Sequence, residues 1–215
     1  LLRLLLAHDR DCSPAELVRH LDDDIDPARF APVLARLIEG EPLQYLLGET
    51  EFMGLTLRVT PAVLIPRGDS EPVVEAAIEL LRDHPAPRVA DICTGCGAYA
   101  LALAAHLPRA ELHAADISPQ ALKVAAENAR ALRLEARLRL YCGDLCAPLA
   151  RAGVRFTMVV SNPPYIASGE LESLPPQVKK EPYLALDGGG DGLDYFRRLC
   201  AEAPPLLAPG GWLLL

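Results

Sequence analysis

The chain has 215 residues and a mass of 23.2 kDa, with 51% hydrophobic and 23% charged residues. That is the profile of one globular domain with room for a small second one, and it excludes disordered, collagenous and coiled-coil classes. A net charge of −8 and an isoelectric point near 5.1 repel phosphate backbones, so no direct nucleic-acid partner is expected. The longest uncharged apolar run, Ala98 to Leu107, is far short of the ~20 residues of a membrane span, so no membrane partner is expected either. Six cysteines without a secretory signal point to a reduced, cytoplasmic setting rather than a disulfide framework. The chain starts at Leu1 and stops at Leu215 inside an apolar run. It reads as a fragment, truncated at its C-terminal end.

Residues 1–48 read as a small helical domain. Leu1, Leu4 and Leu5 recur at helical spacing, and Ser13 with Glu16 forms a capping-box pattern. A further helix runs from Asp26-Pro27 to Gly40, with Pro27 in its first turn, and Glu41–Gly48 stays helical. Residues 49–68 read as a β-hairpin linker. Phe52–Val59 alternates apolar and polar around Gly54, and Ala62–Arg67 is expected as a second short strand stopped by Pro66.

From residue 69 to 215 the pattern is that of a catalytic domain. A helix over Asp69–Leu81 has one apolar face. Strands are expected at 88–92, 112–116, 138–142, 156–161 and from 211, with helices over 97–107, 119–132 and 194–206. Such alternation implies an α/β fold, a parallel sheet with helices on both faces. Ligands in these sheets sit at the carboxyl ends of the strands.

The first such end reads Asp91-Ile92-Cys93-Thr94-Gly95-Cys96-Gly97, a small-residue turn into a helix whose free N–H groups suit a nucleotide-like ligand. The second is Ala115-Asp116, about 20 residues on, where an acid accepts hydrogen bonds from ribose hydroxyls. The third, Gly143-Asp144-Leu145, places a carboxylate where an adenine amino group is read. The fourth is Ser161-Asn162-Pro163-Pro164-Tyr165. Two prolines fix the backbone and leave carbonyl acceptors facing outward. Asn162 adds a side-chain acceptor and Tyr165 a flat ring. That set suits a planar NH₂ group held by both hydrogens, its nitrogen aimed at an electrophile.

These residues resemble an S-adenosylmethionine-dependent amino methyltransferase. Gly40-Glu41-Pro42-Leu43-Gln44-Tyr45-Leu46-Leu47-Gly48, Val63-Leu64-Ile65-Pro66-Arg67, Glu71, Glu181-Pro182 and the tract from Ala185 to Arg198 narrow the resemblance to the HemK/PrmC family. The resemblance implies a Rossmann-like class I methyltransferase sheet with a small N-terminal α-helical domain; since the sheet already supplies cofactor and catalysis, that domain is the candidate for gripping the substrate. It implies methylation of the side-chain amide of the glutamine in the Gly-Gly-Gln motif of peptide chain release factors. Cofactor contacts then fall at Cys93, Thr94, Gly95, Cys96, Gly97, Asp116, Asp144, Leu145 and Asn162, and the acceptor amide at Asn162, Pro163, Pro164 and Tyr165. No metal is implied, and a monomer is expected. A sister family acting on a glutamine of a large-subunit ribosomal protein ranks second, and amino methylation of a nucleic-acid base third.

Three positions depart from the family pattern. Cys93 stands where glycine is usual, Cys96 where Ser or Thr is usual, and Gly68 where Pro usually follows the Pro-Arg pair. A Cβ at 93 is expected to crowd the cofactor or shift the backbone. Cys93 and Cys96 together with Cys142 and Cys146 admit a rival zinc or dithiol reading, which would fill the pocket that the other motifs shape. Arg130, Arg133, Arg137 and Arg139 read as one solvated helix face, and the Asp187–Gly192 glycine run as a turn.

Overall fold

The computed structural model describes residues 2–10, 12, 15–20 and 27–215; Ser13 and Asp26, expected at helix starts, lie outside them. Helices α1 (Leu2–Asp9), α2 (Pro27–Ile38) and α3 (Leu43–Leu47), with a 3₁₀ turn at Glu16–His20, make up the N-terminal region. Asp9 pairs with Arg29 at 2.7 Å, tying α1 to α2, while Leu5, Ala7 and Phe30 are buried. Gly48, in the left-handed conformation at φ 79°, closes α3 and turns the chain into strand β1.

Strands β1 (Glu49–Phe52) and β2 (Leu55–Arg58) pair antiparallel, Phe52 opposite Leu55. Met53 and Gly54 both take positive φ (50° and 72°), the two-residue turn that suits strand twist. The expected second strand at Ala62–Arg67 does not form. Val63 and Ile65 are buried in alternation, but their backbone is claimed by side chains. The Tyr45 hydroxyl donates to the Val63 carbonyl at 2.6 Å, and Glu181 accepts from the Ile65 N–H at 3.0 Å.

After a 3₁₀ turn at Gly68–Ser70, helix α4 (Glu71–Leu81) buries Val74, Ala77 and Leu81. The alternating part follows as β3 (Arg88–Ile92), α5 (Ala98–His106), β4 (Glu111–Asp116), α6 (Pro119–Ala131), β5 (Leu138–Cys142), α7 (Ala147–Ala152), β6 (Phe156–Ser161), α8 (Asp194–Glu202) and β7 (Leu207–Leu214). The five strands are parallel, in the order β5-β4-β3-β6-β7. Successive strand residues point to opposite faces, so Val89, Leu112, Met158 and Val160 pack into one cluster with α4 and α5. Ala90, Ile92, Ala115 and Val159 pack into the other, with Leu149 and Leu199, and Phe156 joins them across an irregularity in β6 between Phe156 and Met158. Helix α5 is buried from Ala98 through Ala104, which explains why it is apolar all round.

Two expectations need correcting. The helix expected to run to Leu206 ends at Glu202, and Pro204-Pro205, lacking N–H donors, start a separate 3₁₀ turn. The four arginines do not share a helix face. Helix α6 stops at Ala131 and Arg133 sits at φ 58°. Arg137 instead turns inward to donate to the carbonyls of Ala104 (2.5 Å), Leu107 (2.5 Å) and Ala110 (2.9 Å), capping the end of α5.

The sheet reverses direction of growth at β3. Strands β4 and β5 lie on one side of it, β6 and β7 on the other, so the crevice opens between the ends of β3 and β6.

Candidate active site

The end of β3 is organised by Asp91. It is buried, and one carboxylate oxygen accepts from the Thr94 hydroxyl (2.6 Å) and the Ala100 N–H (3.1 Å). Desolvation, only partly offset by those two donors, pushes its carboxyl up to about 7. The turn is further pinned by Thr94 N–H to the Ala115 carbonyl at 3.1 Å. Two glycines serve different purposes. Gly97, at φ 86°, disfavours any side chain by its backbone, and a Cβ would be tight as well, 3.1 Å from Leu101 and 3.2 Å from Ala125. Gly95, at φ 57°, faces open space, so a ligand can approach its backbone.

Asp116 closes the end of β4. Its two carboxylate oxygens accept from Gly95 N–H and Ser118 N–H, both at 2.9 Å. Desolvation raises its carboxyl above the usual range despite these bonds. Ser118 caps α6 by accepting from Ala121 N–H at 3.2 Å, leaving Asp116 just outside the helix as the spacing predicted.

At the end of β5, Asp144 lies beside Leu145, a buried residue held at φ 42°. Both Asp144 oxygens are engaged by Arg198 of α8, at 3.2 and 2.7 Å. At the end of β6, Ser161 is stitched to β3 by its hydroxyl, which donates to the Ile92 carbonyl at 2.6 Å. Asn162 follows in the cleft wall, half-buried, and its side chain hydrogen-bonds to none of the described residues.

One cleft, with about 1100 Å³ of empty space counting its solvent-open mouth, brings together Cys93, Thr94, Gly95, Cys96, Asp116, Asp144, Leu145, Asn162 and Pro164. It does not include Gly97, which packs beneath the turn, or Pro163, which is buried. Tyr165 stands outside the wall and is 58% exposed.

The opposite wall was not assigned from sequence. Phe52, Val63, Leu64, Pro66, Arg67, Ser70 and Tyr99 cover the cleft from the hairpin side, and Leu184 and Tyr195 from the C-terminal side. The signal that could have found it is Glu181, a carboxylate amid short 3₁₀ turns. It is buried, paired with Arg67, and bonded to the Ile65 backbone. A second hub is Asn128 of α6. Its side chain accepts from Arg58 N–H (2.7 Å) and donates to the carbonyls of Arg58 (3.0 Å) and Cys96 (2.9 Å), joining the hairpin to the first turn.

The glycine run at 187–192 is a turn, and it braces the fourth strand end. Gly188 N–H donates to the Ile166 carbonyl at 2.8 Å and Ser168 N–H to the Gly189 carbonyl at 2.9 Å. A Cβ on Gly192 would lie 2.4 Å from the Tyr165 carbonyl oxygen, and one on Gly188 2.7 Å from its Cα. Only bare backbone packs there.

Cys93 takes φ 60°, a left-handed conformation that costs an L-residue about 1–2 kcal/mol. The crowding expected of its Cβ is thus met by a strained backbone. Burial pushes the Cys93 and Cys96 thiols up to about 12, the opposite of the thiolate character that redox or metal chemistry uses. Among the described residues no group of three or more His, Cys, Asp or Glu is placed to hold a metal, and no helix is long and apolar enough to cross a membrane.

The donor set fits a nucleoside with a charged tail. It offers a desolvated acid for a diol, an open glycine backbone, a helix N-terminus and apolar walls.

Residues 73–176 match the family described as methyltransferase small domain, and residues 2–48 the PrmC N-terminal domain. A release factor glutamine methyltransferase of Moorella thermoacetica is 52% identical over 202 residues, covering 93% of this chain and 71% of that protein. One from Geobacter sulfurreducens is 46% identical over 200 residues, covering 91% and 68%. Among solved structures, a SAM-dependent methyltransferase from Agrobacterium tumefaciens aligns with TM-score 0.52 at 19% identity, over 77% of this chain and 51% of that one. The hMettl16 catalytic domain, bound to the MAT2A 3′UTR hairpin 1, aligns with TM-score 0.56 at 17% identity, over 84% and 74%. At such identities the structural likeness is one of fold: the Rossmann-like sheet of class I methyltransferases.

Proposed function

The chain belongs to the release factor glutamine methyltransferase family, and from that premise we propose how its cleft methylates the glutamine amide of the Gly-Gly-Gln motif in peptide chain release factors. S-adenosylmethionine, when bound, supplies the electrophilic methyl group on its sulfonium. Cys93–Cys96 cradle it against the helix N-terminus of α5, with Gly97 packed beneath them, Asp116 takes the ribose hydroxyls, and Asp144-Leu145 read the adenine edge. The unspent side chain of Asn162 carries this reading. A half-buried amide with no hydrogen-bond partner among the described residues, at the switch point of the sheet, is a group open to a ligand.

Asn162 and a main-chain carbonyl of Pro163-Pro164 accept the two hydrogens of the acceptor amide, and Tyr165 closes against its plane from the rim. An amide nitrogen delocalises its lone pair and is a poor nucleophile. Fixing both hydrogens orients the nitrogen and favours the positive charge that grows on it as the methyl arrives. No side chain is assigned as general base, since the alkylated nitrogen sheds its proton readily. The apolar wall of Phe52, Val63, Pro66 and Leu184 excludes water, which strengthens these hydrogen bonds.

We assign residues 1–48 to gripping the release factor, 49–68 to the linking hairpin that roofs the cleft, and 69–215 to catalysis. The enzyme acts as a cytoplasmic monomer and touches no nucleic acid directly. The ribosomal-protein and nucleic-base alternatives are not favoured, since relatives at 52% and 46% identity are named for release factors.

The test is transfer of labelled methyl from S-adenosylmethionine to a release factor, wild type against one with the motif's Gln changed to Ala. Label on the wild type alone is expected. Label on neither, with cofactor bound, overturns the substrate; label on both overturns the acceptor atom.

A further inference from the structure

Helix α8 contributes more to the cleft than the end of a crossover. Tyr195 lines the wall, and Arg198, one turn on along the same face, reaches the third strand end. Arg198 is immobilised at three points. Its Nε donates to Glu202 at 3.0 Å, and its two terminal nitrogens donate to the two oxygens of Asp144 at 3.2 and 2.7 Å. The pair spans 54 positions of sequence, so it clamps helix to loop.

Stability alone does not explain the arrangement. The Arg198 and Asp144 side chains are 42% and 50% exposed, and exposed pairs contribute only about 0–1 kcal/mol. The loop it holds is strained, however, with Leu145 at φ 42° beside the carboxylate. Strain of that kind collects at ligand clamps. A bidentate pair fixes the plane of a carboxylate, not merely its charge. It uses one lone pair on each oxygen and leaves the others to accept.

We infer that Arg198 is a positioning residue for purine recognition: held by Glu202, it sets the plane in which Asp144 accepts from the 6-amino group of the cofactor's adenine. This rests on the reading of Asp144 as the adenine acceptor. A purine with a carbonyl oxygen at position 6 is then rejected, because it meets a fixed carboxylate with an acceptor instead of a donor.

The measurement is calorimetric binding of S-adenosylhomocysteine and of its inosine counterpart, S-inosylhomocysteine, to the full chain. The wild type is expected to prefer the adenosine form by about tenfold or more, the scale of one hydrogen bond made or lost. Arg198→Met, which keeps the aliphatic stem, is expected to bring the ratio to within about threefold without shifting the melting temperature. Arg198→Lys, with one point charge in place of a fork, should recover part of it, and Glu202→Gln should fall between. A merely structural role would weaken both ligands together and leave the ratio alone. If Asp144→Ala abolishes the preference and Arg198→Met does not, the positioning role is wrong and the Asp144 assignment stands. If Asp144→Ala keeps the preference, that assignment itself falls.

Discussion

Glu181 grips Arg67 from 114 positions away in sequence. Its second oxygen accepts from Ile65 N–H at 3.0 Å while Arg67 donates back to the Ile65 carbonyl at 2.9 Å. One carboxylate thus holds Ile65 and Arg67, at the C-terminal end of the segment that roofs the cleft. Glu181 is buried and Arg67 is partly exposed, so breaking the pair leaves an uncompensated donor at one end only. Glu181→Gln should lower stability by about 1–3 kcal/mol. Urea unfolding with an unchanged m-value reads it; an unmoved midpoint would mean the roof is held by something else.

Asp91 makes stability depend on pH. Its carboxyl is pushed from the ordinary 3.8 up to about 7, so the folded state holds a proton that the unfolded state has released. The contribution is fully present below about pH 4 and is lost as pH rises through 7. Asp91→Asn keeps an acceptor for Thr94 and Ala100 and removes the titration. The melting temperature of the wild type should therefore fall relative to this variant between pH 5 and 8. Parallel curves would show that Asp91 stays ionised throughout.

Asn162→Ala should cut methyl transfer by about 10²–10³-fold, the usual loss on removing one preorganised group, with cofactor affinity almost unchanged. Asp116→Ala should do the reverse, weakening cofactor binding by about 1–3 kcal/mol. Calorimetry and single-turnover transfer separate the two effects. A large affinity loss in the Asn162 variant would remove it from its acceptor role.

At position 93 the backbone asks for glycine. Cys93→Gly should be more stable than Cys93→Ala by about 1 kcal/mol, since both lose the thiol and only one loses the Cβ that makes φ 60° costly. In most loop positions the order is the opposite. Thermal unfolding of the two variants side by side decides it.

Gly192→Ala would put a methyl 2.4 Å from the Tyr165 carbonyl. The Asn162–Tyr165 backbone must then move, and transfer should fall at least tenfold, on the scale of an ångström-level misplacement. Unaltered turnover would mean the brace is dispensable.

How much of this was legible in sequence follows from the kind of signal each part leaves. The strands and the main helices of the sheet announce themselves because burial on alternate faces leaves a period. The four strand ends are readable because small or acidic residues stand where the periodic runs stop. Ala62–Arg67 misled for a physical reason: alternate burial of Val63 and Ile65 is real, but a strand also needs a ladder partner, and Tyr45 and Glu181 took those bonds. Helix α7, six residues with Pro148 in its first turn, is too short to show a period. Arg137 departs from the expected solvated face because spacing along the chain says nothing of the carbonyls at the end of α5 that it caps. Within the candidate site, the position of Asn162 at the fourth strand end could be read in advance, but the engagement of Asp144 by Arg198 could not, since the two meet only through the fold.

The order of the sheet also fixes an order of assembly. Strands β3, β4 and β5 are made in succession and lie side by side, so the half that would hold a nucleoside can form as the chain leaves the ribosome. Strand β6, with Asn162 at its end, must then travel back past two finished strands to dock on β3, and its brace at Gly188–Gly192 is synthesised later still. During translation the end of β6 and its brace therefore come into place only after the β3–β5 half of the sheet.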